Sequence, residues 1–496
     1  MKKRPNILFL CTDQQRFDTL GCYGNQAART PVLDGLAAQG VTFEQCYVQS
    51  PVCGPSRASL MTGKYVHDHG LYANGVSLPE GNPLFMRNLA DAGYDCGLVG
   101  KQHLAACFGG RTEPRRDDGY RVYRWSHDPT HESPENAYHH WLKAHHPDLY
   151  AQASQHRRTG TAGIAGDAGQ DVGFATMPTE AHYSHWAAEE AIEFLSEERE
   201  SDQPFFLWVN FFDPHHPFVA PREYLDRFDP AALPDPVGGP GILDDRPPIL
   251  EDASKASYAG ALPGFQDHTA EEIKEIIRAY YAMVSLVDDE VGRILAALAA
   301  SGLDENTLVV FTSDHGEMLG DHQLLLKGPM FYEGAVRVPL LMRWPGVLPA
   351  GERRSQLVQW VDLTSTLCAA AGAPAPPRAQ GTNLLPLATG DTDQPVRDWA
   401  LCEYRDSGHA YDPPVYATML RRDEPGHRWK LVVHHGSPAT GRDRTGELYD
   451  LAADPTELRN LWHDPAHQAT RAELQSYLMD LMVATENRTQ PRDASW

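Results

Sequence analysis

The chain has no apolar run long enough to cross a bilayer, no surplus of positive charge, and no cysteines spaced for a metal or a disulfide framework. Each absence excludes something. A transmembrane helix needs about 20 apolar residues, so a membrane-spanning protein is not expected. Asp and Glu number 67 against 43 Lys and Arg, a formal net charge of −24, and such a chain is repelled by nucleic acid and by anionic membranes alike. The eight cysteines (Cys11, Cys22, Cys46, Cys53, Cys96, Cys107, Cys368 and Cys402) are scattered, as in a reduced, cytoplasmic protein. The first residues mimic a secretory signal, but the apolar run is confined to Ile7–Cys11 and Asp13 follows at once; a signal needs about 7–15 apolar residues. That stretch reads as a first buried strand. No internal repeat or low-complexity tract stands out. Asn487-Arg488-Thr489 matches a glycosylation sequon, without meaning in a cytosolic chain.

What is present is a chain of 496 residues, beyond the size at which one core stops growing, so two domains are expected. Short β-type runs alternate with amphipathic helical stretches through the first three-quarters. Predicted strands are 7–11, 94–99, 205–211, 307–312 and 338–342; predicted helices are 31–39, 84–92, 185–198, 270–300 and 358–371. This alternation predicts an α/β domain with a large, mostly parallel sheet flanked by helices. Ala371–Pro377 reads as an exit linker, which places a catalytic domain at 1–375. Residues 376–496 read as a small α+β domain with an antiparallel sheet, including strands 429–434 and 447–451 and a final helix near 465–485. Gly109–Glu180 and Pro221–Gly264 resist regular assignment and read as rims or lids.

In open α/β sheets, ligands bind beyond the carboxyl ends of the strands. Just after the predicted strands come Asp13 and Gln14; Lys101 and His103; Asp213, His215 and His216; and Asp314 and His315, with Lys327 in the next loop. Each alone reads as a solvated loop residue. Four strand ends delivering carboxylates, imidazoles and amines to one edge read as a site. Asp13, Gln14, Asp314 and His315 form a mainly oxygen donor set with one nitrogen, suited to one hard or borderline divalent cation, Ca2+ ahead of Mn2+ or Mg2+. Cys53 stands beside Arg57 at the start of a helical segment that Ser56 could cap, and a helix amino terminus favours an anion. Such a cysteine is either a small buried apolar residue or a nucleophile.

Cys53-Gly54-Pro55-Ser56-Arg57, continued as Ala58-Ser59-Leu60-Met61-Thr62-Gly63, resembles the Cys-x-Pro-x-Arg signature of the sulfatase family, in which the cysteine is oxidised to formylglycine. Asp13-Gln14 and Thr312-Ser313-Asp314-His315-Gly316-Glu317 resemble the family's two metal-binding segments, except that Gln14 stands where an aspartate is commonest. Gly100-Lys101-Gln102-His103 resembles the sulfate-binding Gly-Lys-x-His segment. Pro214-His215-His216-Pro217 resembles Pro-His-x-Pro and singles out His215, and Lys327 fits the lysine near the leaving group. The likeness runs from Ile7 to about Leu461. It implies an alkaline-phosphatase-like fold and maturation of Cys53 by a formylglycine-generating enzyme. The implied reaction is hydrolysis of a small anionic sulfate ester by a cation-bound formylglycine hydrate, releasing sulfate and an alcohol. In that scheme Arg57 and Lys101 hold the equatorial oxygens, and His215 and Lys327 serve the leaving oxygen. His103 takes the proton that returns side chain 53 to the aldehyde, and Asn74 joins Lys101, His215 and Lys327 in binding substrate.

Three rivals follow. A phosphonate monoester or phosphodiester hydrolase would use the same nucleophile; Gln14 with Asp314-His315 resembles that subgroup, whereas Lys101 and His103 resemble sulfatases proper. A two-metal phosphatase would need a second Asp/His cluster about 4 Å from the first; none lies near the strand ends, although His67, His69 and His322 are unassigned. A non-catalytic binding protein would keep Cys53 as a thiol. Candidate rim residues for the alcohol are His67, His69, Asn74, Glu333 and Arg337, each read first as a satisfied turn or surface ion pair. His139, His140, His145 and His146 are adjacent pairs pointing apart on a helix, and read as solvated. Self-association into a homo-oligomer stays open.

Overall fold

The computed structural model describes residues 4–157, 177–200, 202–407, 410–437 and 441–486. The sequon at 487–489 and part of the stretch 109–180 lie outside them.

Eight strands form the main sheet: β1 Asn6–Thr12, β2 Val41–Tyr47, β3 Asp95–Gly100, β4 Val122–Trp125, β5 Phe205–Asn210, β6 Thr307–Ser313, β7 Arg337–Arg343 and β8 Glu352–Gln359. Their order is β8-β2-β7-β6-β1-β5-β3-β4. β7 is antiparallel to both neighbours, and the remaining pairs are parallel. β1 lies near the centre and is buried along its whole length, which is why it reads as an unbroken apolar run. Ile7, Phe9 and Cys11 face one hydrophobic layer and Leu8 and Leu10 the other. The helix Ala270–Ala300 covers the second layer, started by a reciprocal cap in which Thr269 and Glu272 exchange side-chain and backbone hydrogen bonds.

A second, antiparallel sheet contains β9 Trp399–Arg405, β10 Tyr416–Glu424, β11 His427–His434 and β12 Thr445–Asp450 in sequential order. It docks on the β8 side of the main sheet, where Glu403 N–H donates to Gln49 O at 2.8 Å and Leu401 N–H to Gln359 Oε1 at 2.9 Å. The helix Gln468–Ala484 packs Leu474, Leu478 and Leu481 against it. The seam is charged as well as apolar: Lys430 Nζ lies 2.7 Å from both Glu333 and Glu457, and Tyr47 donates to Glu333 at 2.9 Å.

Several expectations need correction. Residues 358–359 belong to β8, and the helix starts only at Asp362. The stretch 109–180 is more regular than its composition implies, with β4 and the helices Ala137–His145 and Pro147–Arg157. Within it His139 is buried and its ring meets Pro129 O at 2.8 Å, not solvated, while His140 and His145 are exposed. All eight cysteines are free thiols. Among the described residues no helix is long and apolar enough to cross a membrane.

Candidate active site

The parallel registers decide what meets at the sheet's carboxyl edge. Cys11 pairs with both Asn210 and Thr312, and Thr12 with Ser313, so Asp13 and Asp314 leave adjacent strands side by side. Gln14 follows in a left-handed backbone conformation (φ 67°), an uncommon one for a side chain with a Cβ. Tyr280, from the long helix, secures this turn: its hydroxyl donates to Gln14 O and accepts from Arg16 N–H. Gln14 N–H in turn donates to Asp314 Oδ1 at 3.1 Å.

Cys53 is the first residue of the helix Cys53–Thr62, which ends at Gly63 in the left-handed conformation. Ser56 does not cap it. Its hydroxyl instead donates to Asp314 O at 2.6 Å, and Asn74 Oδ1 accepts the Gly54 N–H at 2.9 Å, which ties the helix start to both segments. Asn74 Nδ2 lies 3.4 Å from the Cys53 sulfur and Lys327 Nζ 3.7 Å from it. Burial alone would push the thiol up, but Lys101, Lys327 and His103 together hold it well below the ordinary thiol value. A cysteine so placed exists largely as thiolate.

Each of the two aspartates has one oxygen committed to cations and one turned inward. Asp13 Oδ2 receives Lys101 Nζ at 2.6 Å and Arg57 at 3.5 Å; Asp314 Oδ2 receives Arg57 Nε at 2.7 Å. Burial opposes the Asp13 charge, yet Lys101, with Lys327 beyond it, keeps its carboxyl well below the usual range. Asp13 Oδ1 is buried with no hydrogen-bond partner. It lies 3.6 Å from His315 Nε2, and Asp314 Oδ1 lies 3.7 Å from the same nitrogen. His315 Nδ1–H is directed at Gly316 O (2.9 Å), which leaves Nε2 as a lone-pair donor, the usual arrangement of a ligating histidine. Donor atoms of Asp13, Cys53 and His315 all fall within 4.8 Å of one another. An unpartnered buried carboxylate oxygen, facing a second one and an imidazole lone pair, fits a bound cation.

Lys327 Nζ stands in the middle of these groups, 2.7 Å from Gln14 Oε1, 2.9 Å from His215 Nε2 and 3.1 Å from His315 Nε2. His215 Nδ1–H points at the His216 carbonyl (2.6 Å), so Nε2 accepts from the lysine; burial and Lys327 hold this imidazole well below its ordinary value and therefore neutral. The fold thus brings together Asp13, Gln14, Cys53, Arg57, Asn74, Lys101, His103, His215, Asp314, His315 and Lys327.

Four of the rim candidates find partners elsewhere. His67 pairs with Glu403 at 2.7 Å and His69 with Ser59 Oγ at 3.0 Å, while Glu333 and Arg337 join the charged seam between the sheets. His322 stacks on Tyr332, 3.8 Å between ring centres. Asp213 instead accepts from Ser184 and lies 3.6 Å from His182. Four contributors were given no role from the sequence, Asn210 and His127 because they lie outside the motifs, His216 and Glu317 although they lie within them. Asn210 accepts from Arg57 at 2.7 Å, His127 packs on His103 at 4.6 Å between rings, and His216 stacks on His215 at 4.1 Å. The fourth, Glu317, bonds Gln14.

Residues 5–373 match the sulfatase family, and residues 320–484 match the C-terminal part of N-sulphoglucosamine sulphohydrolase. The mouse iduronate 2-sulfatase is 31% identical, covering 93% of this chain and 91% of its own. An arylsulfatase of Clostridium perfringens is 30% identical over 92% of this chain and 90% of its own. The crystal structure of a phosphonate monoester hydrolase of Agrobacterium radiobacter superposes with a TM-score of 0.80 at 27% identity, over 97% of this chain and 96% of that one.

Proposed function

The chain belongs to the sulfatase family and is a sulfuric ester hydrolase, and from that premise we propose that it cleaves a small sulfate monoester at position 53, releasing sulfate and an alcohol. One observation carries the reading: the Cys53 sulfur, the inward oxygens of Asp13 and Asp314 and Nε2 of His315 converge beside Lys101 and Lys327. Asp13, Gln14, Asp314 and His315 would hold one divalent cation together with side chain 53, and the predominance of oxygen donors favours Ca2+ over Mn2+ or Mg2+. With Cys53 matured to formylglycine by a formylglycine-generating enzyme, the cation and the aldehyde hydrate supply a hydroxyl acidic enough to attack near neutral pH.

The chain's own residues do the rest. Lys101 and Arg57, anchored on the two aspartates, present positive charge to the equatorial oxygens, the kind of preorganised stabilisation that dominates such reactions. Lys327 carries a proton held against the neutral His215, and delivers it to the departing alcohol oxygen. His103, near enough to side chain 53 to help lower its pKa, takes up a proton when that side chain is regenerated. Asn74 orients the nucleophile and borders the alcohol. These cations also explain how a chain of net charge −24 accepts an anion. We assign the chemistry to residues 1–375 and the small sheet to 376–496. The free thiols favour the cytoplasm.

Hydrolysis of phosphonate monoesters or phosphodiesters is the second reading, favoured by Gln14 beside His315 and by the likeness to the phosphonate monoester hydrolase. The test is kcat/KM on paired 4-nitrophenyl sulfate and phenylphosphonate esters, with the mass of the tryptic peptide containing position 53. Faster sulfate cleavage and a formylglycine mass are expected. Faster phosphonate cleavage would transfer the assignment to the rival, and an intact thiol in fully active protein would remove the nucleophile.

A further inference from the structure

Gln14 is an awkward cation ligand, because an amide can present either its oxygen or its NH2 group. Here both ends are spoken for. The amide oxygen faces Lys327 Nζ at 2.7 Å. The amide nitrogen donates to Glu317 Oε2 and lies 3.4 Å from His216 Nδ1. Glu317 is wholly buried and lies in the segment that follows Asp314 and His315. Its other oxygen accepts two backbone N–H groups, from Leu319 at 3.0 Å and from Leu326. Both leucines are in the left-handed conformation (φ 51° and 62°), which disfavours residues with a Cβ, and Leu326 immediately precedes Lys327. One carboxylate therefore orients Gln14 with one oxygen and fixes the backbone before Lys327 with the other. Three donors on a buried carboxylate also meet the requirement that such a charge be fully hydrogen-bonded.

We propose that Glu317 is a positioning residue for the cation site: it turns the Gln14 amide so that its oxygen points to the side where Lys327 meets His315, and it makes an amide, not a carboxylate, the fitting group at position 14. A carboxylate at 14 would meet Glu317 as acceptor against acceptor, like charge against like charge. This explains why the aspartate commonest in the family's first metal-binding segment is replaced here. The inference rests on the cation-site reading above and assigns a cause to one of its ligands.

The pair allows a reciprocal exchange. In E317Q the new amide can keep its oxygen on the Leu319 and Leu326 N–H groups only by turning its NH2 against that of Gln14, which then flips. In Q14E two carboxylates face each other. In Q14E/E317Q the hydrogen bond between positions 14 and 317 is restored with donor and acceptor reversed, and a carboxylate oxygen faces the cation.

The experiment is calorimetric titration of Ca2+ alone into the metal-free full chain, with far-UV circular dichroism confirming that each variant is folded. Each single variant should bind Ca2+ about 10- to 100-fold more weakly, the usual effect of losing a partner that orients a ligand. The double exchange should return to within about threefold of the parent, a non-additivity expected only for directly coupled groups. D13N serves as the reference and should abolish binding. If D13N loses Ca2+ while E317Q binds like the parent, or if the two single losses multiply in the double variant, the role of Glu317 is overturned and the cation site stands. If D13N binds like the parent, the cation-site reading falls, and this inference with it. Should a single variant fail to fold, the double exchange and D13N still decide the matter.

Discussion

Arg57 is the residue whose removal should be felt most. It is wholly buried, and its guanidinium serves Asp314 Oδ2 and Asn210 Oδ1 at 2.7 Å, Lys101 O at 3.0 Å and Asp13 Oδ2 at 3.5 Å. Burial would lower its pKa, but Asp314 and its other anionic neighbours raise it, so the charge is permanent. In R57A the Asp314 carboxylate stays buried without its cation, a change that costs about 3–5 kcal/mol. The bonds to Asn210 and the Lys101 carbonyl contribute about 1 kcal/mol each. The expected loss is about 5 kcal/mol or more, comparable with the whole stability of many domains. R57K keeps the charge but not the planar fork, and should lose about 2 kcal/mol through one or two unmade bonds. Asp314→Asn in the R57A background should recover part of the loss, because the stranded charge goes with it. Urea unfolding in metal-free buffer, followed in parallel by tryptophan fluorescence and far-UV circular dichroism, measures the parent and the three variants; coincident transitions justify a two-state treatment. An R57A variant within about 1 kcal/mol of the parent, or an R57K variant as damaged as R57A, would refute the view that this guanidinium neutralises the carboxylates.

Further outcomes follow from buried groups outside the reaction. His69 Nδ1 accepts the Leu71 N–H at 3.1 Å and its Nε2 meets Ser59 Oγ at 3.0 Å, and burial lowers its pKa to about 3. Between about pH 6.5 and 3 the unfolded chain binds the proton and the folded one does not, so stability is lost as pH falls; urea melts should show His69→Gln sparing about 2 kcal/mol of the loss between pH 7 and pH 5, and an unchanged slope would contradict the assignment. In the seam, Lys430→Met leaves Glu333 and Glu457 facing each other. Burial pushes Glu457 up to about 7, so it is protonated at low pH and charged at high pH. The variant should lose about 3–5 kcal/mol at pH 8 and clearly less at pH 5, and equal losses at both would show that the two carboxylates do not repel.

The legible parts of the sequence were those where burial imposes one pattern. The helix Ala270–Ala300 combines a reciprocal cap with a sustained apolar stripe, and β1 is buried on both faces; each appears in the sequence with nearly its true bounds. β8 does not, because its first residues, Glu352-Arg353-Arg354-Ser355-Gln356, are largely exposed at the sheet edge, so tertiary pairing rather than apolar periodicity makes it a strand. The helix Ala137–His145 is hidden by histidines, although the Asn136 side chain caps it. At the site, Asp13, Lys101, His215 and Asp314 were legible because parallel strand ends deliver them, whereas Cys53, Arg57 and Lys327 were legible only through their motifs. Asn210, His127 and Glu317 could not be singled out, since each acts on another side chain: what marks Glu317 is the pairing with Gln14 across 303 residues of sequence.

The reversal of β7 has a consequence for where Lys327 comes from. β6 ends at the edge that carries the site, and β7 starts from that same edge. The polypeptide between them, from Asp314 to Val336, therefore never travels to the far side and back, as a right-handed crossover would require. It stays on one rim as a broad hairpin connection and supplies Asp314, His315, Glu317 and Lys327 from a single uninterrupted excursion. A group that precedes a strand can thus join groups that follow strands, which an all-parallel arrangement would forbid at this position.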